Sequence, residues 1–124
     1  MEFLFGEFIA KKRKERGITL RNMAERLGIT PPYYSDIEKS RRNPPDMDML
    51  IKIANELGLT EEDRNLMFDY AGRDRKEIAP DLPDYIKNTD IVTVALRKAK
   101  DLASEDDWQQ FIDKLNRKGN TPND

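Results

Sequence analysis

The 124-residue sequence contains no cysteine and no histidine. Without cysteine there are neither disulfides nor thiolate metal sites. Without histidine the commonest general base and the commonest metal ligand are missing together. Chemistry would have to rest on Asp, Glu, Lys or Tyr, and no nucleophile–base pair, phosphate-cradling loop or metal cluster is present. The chain is therefore read as a non-enzyme that needs no cofactor. Long apolar runs are lacking as well, none approaching the ~20 residues of a membrane span. The start, Met1-Glu2-Phe3-Leu4-Phe5, has no basic region ahead of its few apolar residues, which argues against a signal peptide. A cytoplasmic location without membrane association is expected. No stretch sustains period-two alternation, and no internal repeat is present.

What is present is charge and helical periodicity. Hydrophobic residues make up 37% and charged residues also 37%, which allows a modest helical core under a densely ionic surface. The net charge of −2 hides an uneven distribution, and for nucleic-acid binding the distribution matters more than the sum. From Lys11 to Pro45 there are ten basic residues against four acids. From Asp46 to Glu77 there are five against nine. A basic segment of this kind is equally compatible with a solvated helix face, so it does not by itself identify a ligand.

Punctuation divides the chain into short helices. The first is predicted over residues 4–16, with Phe5, Phe8 and Ile9 facing inward and Gly17 as a left-handed stop. Thr19 caps a second over 20–27, stopped by Gly28. Thr30 caps a third to about residue 39, with Pro31 in the first turn, where a missing N–H costs nothing. Pro44 and Pro45 forbid further helix. A fourth is predicted over 46–57, its inner stripe being Met47, Leu50, Ile51, Ala54 and Leu57. Thr60 opens a fifth to 71–72, with Glu61, Glu62 and Asp63 complementing the helix dipole. Residues 73–83, with Pro80 and Pro83, read as a linker. Two further helices follow over 89–102 and 104–115, the second opened by a capping box of Ser104 and Asp107. Residues 119–124 are expected to be a disordered tail.

The informative stretch runs from Thr19 to Pro44. Two short helices share a tight turn, and a helix-turn-helix has steric requirements that can be checked by residue. Ala24 stands where the helices approach, Gly28 supplies the left-handed turn, and Met23, Leu27, Ile29, Tyr34 and Ile37 fall at the buried offsets. The segments Thr19-Leu20-Arg21-Asn22-Met23-Ala24-Glu25-Arg26-Leu27-Gly28-Ile29-Thr30 and Tyr33-Tyr34-Ser35-Asp36-Ile37-Glu38-Lys39-Ser40-Arg41-Arg42-Asn43-Pro44 resemble the lambda-repressor-like (XRE) family. The likeness continues in Gly17-Ile18 before and in Leu50, Ile53-Ala54 and Leu57-Gly58 after, covering residues 4–71.

The resemblance implies an all-α fold with a five-helix lambda-repressor-like DNA-binding domain (1–72); by the residue pattern, the linker 73–83 and a short C-terminal pair of helices (84–118), a possible dimerisation segment, follow it. It implies that the helix from Thr30 to Lys39 enters the major groove of double-stranded DNA, with Tyr34 and Ile37 inward. Thr30, Pro32, Tyr33, Ser35, Asp36 and Lys39 would then face DNA, and Ser40, Arg41, Arg42 and Asn43 would lie along the phosphates. Arg13 and Glu38 would form a structural ion pair. The sequence departs from the family at Leu20, where a phosphate-binding Gln is common, and at Pro31 and Pro32, where base-reading Gln or Ser is common. Proline cannot make the bidentate contacts Gln makes to adenine, and Asp36 suits cytosine N4 while repelling phosphate.

Other features have plain readings. Apart from Arg13, the run 11–16 is a solvated face. Met47, Met49, Met67, Phe68 and Tyr70 are core. Val92, Leu96, Ala99 and Leu102 form one amphipathic stripe, and Trp108, Phe111, Ile112 and Leu115 another, each needing a partner surface. The function expected is a sequence-specific transcriptional regulator, a repressor binding as a homodimer. The alternatives are an antitoxin, or a protein-interaction adaptor without DNA affinity. A toxin or anti-repressor would be the partner protein.

Overall fold

The computed structural model describes residues 4–120, in which every regular element is a helix. They are α1 (Leu4–Glu15), α2 (Leu20–Leu27), α3 (Pro31–Glu38), α4 (Met47–Leu57), α5 (Glu61–Asp74), α6 (Pro83–Lys87), α7 (Asp90–Leu102) and α8 (Glu105–Gly119). The chain forms two compact units dividing after Pro83.

The first unit holds α1 to α5. Its starts and stops follow from local chemistry. Thr19, Thr30, Asp46 and Thr60 each accept the N–H of the residue three positions on, at 3.0, 3.3, 3.0 and 3.1 Å. Each such cap contributes about 1 kcal/mol relative to Ala. The ends are closed in one way: a left-handed residue folds the chain back so that two amides reach carbonyls of the last turn. At α2 that residue is Gly28, with φ +72°. Its own N–H reaches Glu25 O at 3.1 Å and the Ile29 N–H reaches Ala24 O at 3.0 Å.

α1 packs against α5, α3 and α4, and α2 against α3 and α4. At the crossing of α1 and α3 a Cβ on Gly6 would lie 2.3 Å from the Glu38 carbonyl oxygen, so only glycine allows this approach. Phe5, Ile9, Met23, Ala24, Leu27, Tyr34, Ile37, Leu50, Ile53, Leu57 and Met67 fill the core. On α4 the buried set is Leu50, Ile53, Ala54 and Leu57, while Met47 and Ile51 are only partly buried. The inner stripe is therefore rotated slightly from the one expected: Leu50, Ala54 and Leu57 are shared, Ile53 joins them, and Met47 and Ile51 move to the edge. Met67 and Phe68 are buried, and Met49 and Tyr70 pack against the core from its edge.

α5 continues to Asp74, and the turn after it belongs to the first unit. A Cβ on Gly72 would lie 2.7 Å from the Ile78 backbone, which shows how closely the chain folds back there. The Asp74 carboxylate accepts the N–H groups of Leu4 and Phe5 at 3.1 and 2.9 Å, capping α1 from the end of α5. Pro83, expected within a linker, instead begins the short α6, a position that suits a residue with no N–H to donate.

The second unit holds α6 to α8, and no residue of these helices is buried. The capping box forms as the sequence suggests. Ser104 Oγ accepts the Asp107 N–H at 3.2 Å and the Asp107 carboxylate accepts the Ser104 N–H at 2.9 Å. That N–H holds the Asp107 carboxyl below its ordinary range. α8 extends to Gly119, and residues 121–124 of the expected tail lie outside the described residues. Among the described residues no helix is long and apolar enough to cross a membrane, and no group of His, Cys, Asp and Glu could hold a metal ion.

Candidate nucleic-acid interface

The pair α2–α3 is held by the expected residues. Ala24 is fully buried at the crossing, and Met23, Leu27, Tyr34 and Ile37 are buried around it. Below them the Arg13 guanidinium grips Glu38 with two hydrogen bonds, Nε–Oε2 at 2.7 Å and Nη2–Oε1 at 2.9 Å. A third bond, Nη1 to Ile18 O at 2.8 Å, fixes the loop before α2. The Glu38 carboxylate raises the Arg13 pKa further, so the guanidinium stays charged. Tyr34 lies beside this pair with its hydroxyl buried and without a hydrogen-bond partner among the described residues. Burial pushes its phenol well above the ordinary value, and the Glu38 carboxylate adds to the effect.

With Tyr34 and Ile37 committed to the core, α3 turns its other face outward. Thr30, Pro32 and Lys39 are exposed, and Tyr33, Ser35, Asp36 and Ser40 are partly exposed. Arg41, Arg42 and Asn43 are exposed in the following loop. The residues singled out from the sequence thus form a continuous strip along α3 and around its end. Thr30 has a second duty there, since its hydroxyl caps the helix.

The strip carries features that the sequence did not reveal. Ser40 adopts φ +60°, the left-handed region, although it is not glycine. Its N–H reaches Ile37 O at 3.2 Å and the Arg41 N–H reaches Asp36 O at 2.9 Å, so α3 closes like α2. This fold-back brings Arg41 and Arg42 over Asp36, at 3.5 and 3.8 Å from its carboxylate oxygens. Arg42 also stacks on the Tyr33 ring, 4.8 Å from its centroid. The arginine side chains are more than half exposed, so each pair contributes at most about 1 kcal/mol and yields readily to a competing anion. Arg75, assigned to the linker from sequence, donates from Nη2 to the carbonyls of Pro44 and Pro45, the latter at 2.7 Å.

Of the basic run in α1, Arg13 is buried in its pair and Lys12 reaches Asp63 on α5 at 3.0 Å. That carboxylate raises the Lys12 pKa. Lys11, Lys14 and Arg16 are exposed.

Residues 9–63 match the family model described as Helix-turn-helix. The uncharacterized HTH-type transcriptional regulator y4dJ of Sinorhizobium fredii is 35% identical over 60 residues, covering 48% of this chain and 77% of that one. The chain belongs to the XRE-type helix-turn-helix family.

Other members are similar over the same region. The uncharacterized HTH-type transcriptional regulator YqaE of Bacillus subtilis is 42% identical over 57 residues, 46% of this chain and 48% of its own. SinR of Bacillus subtilis is 33% identical over 51 residues, 41% of this chain and 46% of its own. The chain thus spans about half the length of the first curated relatives it matches. A solved SinR protein/SinI protein complex has a TM-score of 0.47 at 20% identity, over 95% of this chain and 100% of that one. Within this helix-turn-helix protein the departures noted from the sequence have structural counterparts. Leu20 is partly buried and packs on the core, and Pro31 and Pro32 occupy the first positions of α3.

Proposed function

We propose that this protein is a sequence-specific, DNA-binding transcriptional regulator that acts as a repressor in the cytoplasm. α3 enters the major groove and the loop 40–43 lies on the phosphate backbone. The observation that carries this reading is the exposed strip from Thr30 to Asn43, on a helix whose opposite face is locked in the core. Phosphate contacts position such a protein and base contacts specify its site. Arg41, Arg42 and Asn43 take the first role. Pro32, Tyr33, Ser35, Asp36 and Lys39 take the second, together with DNA shape.

Amide chemical-shift mapping against a duplex from the DNA upstream of its own reading frame tests the assignment. Shifts concentrated at residues 30–43 support it. Shifts concentrated in α7 and α8 would contradict it.

We further propose that the protein works as a homodimer through its C-terminal helices. Leu96, Trp108, Phe111, Ile112 and Leu115 are all between 39% and 50% exposed, on helices with no buried residue. α8 carries Glu105, Asp106 and Asp107 in its first turn and Arg117 and Lys118 in its last, so two copies laid antiparallel would pair opposite charges. A two-fold dimer also suits the two half-sites of an operator. Light scattering of the full chain and of Phe111→Glu/Leu115→Glu checks this. The variant should have half the mass, and an unchanged mass would exclude α8 from the seam. A partner protein, such as a toxin or anti-repressor, would compete for the same apolar stripe.

A further inference from the structure

We infer that Arg75 is the positioning residue for the phosphate-contacting loop, a role that rests on the DNA-binding reading above. The loop needs outside support because of its own sequence. Pro44 and Pro45 have no N–H to donate, and their carbonyls are part-buried where they meet Arg75. Carbonyls turned from water require a donor. The donor is Arg75, whose Nη2 reaches both. One planar guanidinium spanning two successive carbonyls fixes the direction in which the chain leaves Asn43.

Arg75 is itself held from both sides. The preceding Asp74 accepts the first N–H groups of α1. The following Lys76 sits at φ +58°, closing α5 with the Glu77 N–H on Gly72 O at 2.8 Å. The Arg75 Nε is buried without a hydrogen-bond partner among the described residues. Ser40 holds its left-handed turn at the start of the loop and Asp46 caps α4 at its end. With both ends fixed and Arg75 on Pro44 and Pro45, the backbone that carries Arg41, Arg42 and Asn43 has a set path.

The test uses the full chain with Arg75→Met, Arg75→Lys and Arg41→Ala/Arg42→Ala, read on a 24-base-pair mixed-sequence duplex by anisotropy over a salt series. Backbone 15N relaxation of the free proteins is read alongside. Arg75→Met should lower the amide order parameters of Arg41, Arg42 and Asn43 while those of α1 and α4 persist. Its affinity should fall roughly tenfold, with a salt slope flatter by about one to two, as expected when one or two phosphate contacts are lost at ~0.9 each. Arg75→Lys should recover part of both. In the Arg41→Ala/Arg42→Ala background, Arg75→Met should flatten the slope no further. An unchanged slope in Arg75→Met, or unchanged loop order parameters, overturns the inference. A wild-type chain that binds no duplex would defeat the DNA-binding reading instead, and the relaxation data would still decide whether Arg75 holds the loop.

Discussion

Arg13 and Glu38 form a two-pronged ion pair between α1 and the end of α3, their side chains only 9% and 6% exposed. Replacing one partner leaves the other charge buried and uncompensated. Glu38→Ala should therefore destabilise the first unit by about 3–5 kcal/mol, measured by urea unfolding. Arg13→Met/Glu38→Leu should recover most of that loss, because two apolar groups need no partner. A double variant as unstable as the single one would show that the pair contributes more than it costs.

Tyr34 gives the fold an alkaline limit. Its phenol titrates higher in the folded chain than in the unfolded one. The stabilising contribution is complete below the ordinary tyrosine value of about 10 and is lost as pH rises above it, by up to about 1.4 kcal/mol per pH unit. Tyr34→Phe should remove that part of the alkaline slope, leaving the part due to Lys12, whose pKa Asp63 raises. Near pH 7 the same variant should match wild type within about 1 kcal/mol, since the hydroxyl makes no hydrogen bond.

Asp36 restrains the two loop arginines. Asp36→Asn should free Arg41 and Arg42 and strengthen binding to any duplex by roughly two- to fivefold, the scale of one exposed ion pair. The salt slope should steepen, and discrimination between native and scrambled DNA should shrink. If native-site affinity fell while scrambled-site affinity stayed constant, the base contact of Asp36, of the kind a carboxylate makes to cytosine N4, would outweigh its restraint on the arginines.

Ser40 occupies a conformation that glycine adopts without strain. Ser40→Gly should raise stability by up to about 1 kcal/mol, seen as a higher denaturant midpoint at constant slope. A drop would mean that the serine hydroxyl contributes to holding the loop.

These residues also mark where sequence legibility ends. Thr19, Thr30 and Thr60 were readable as caps because capping is local chemistry. Gly17 and Gly28 were readable as stops, and both have positive φ. Ser40 and Lys76 close helices with the same geometry but carry no such signal. Arg13 and Glu38 were paired through the resemblance, since nothing within either helix relates residues 25 apart in sequence. Arg75 and Asp74 were hidden for the same reason: their bonds span 30 or more residues. The chain of two prolines and scattered charges around them resembles a linker unless those distant partners are known. The face of α3 was legible because helical periodicity alone decides it. The ion pairs across that face were not, because they depend on the left-handed turn at Ser40.

The most direct test of the account is fluorescence anisotropy of the full chain on the DNA upstream of its own reading frame, against a shuffled duplex, across a salt series. The account predicts tight binding to the native fragment, much weaker binding to the shuffled one, and a steep salt dependence from the arginine loop. Equal, weak binding to both duplexes would contradict it and would leave α3 as a scaffold for protein contacts.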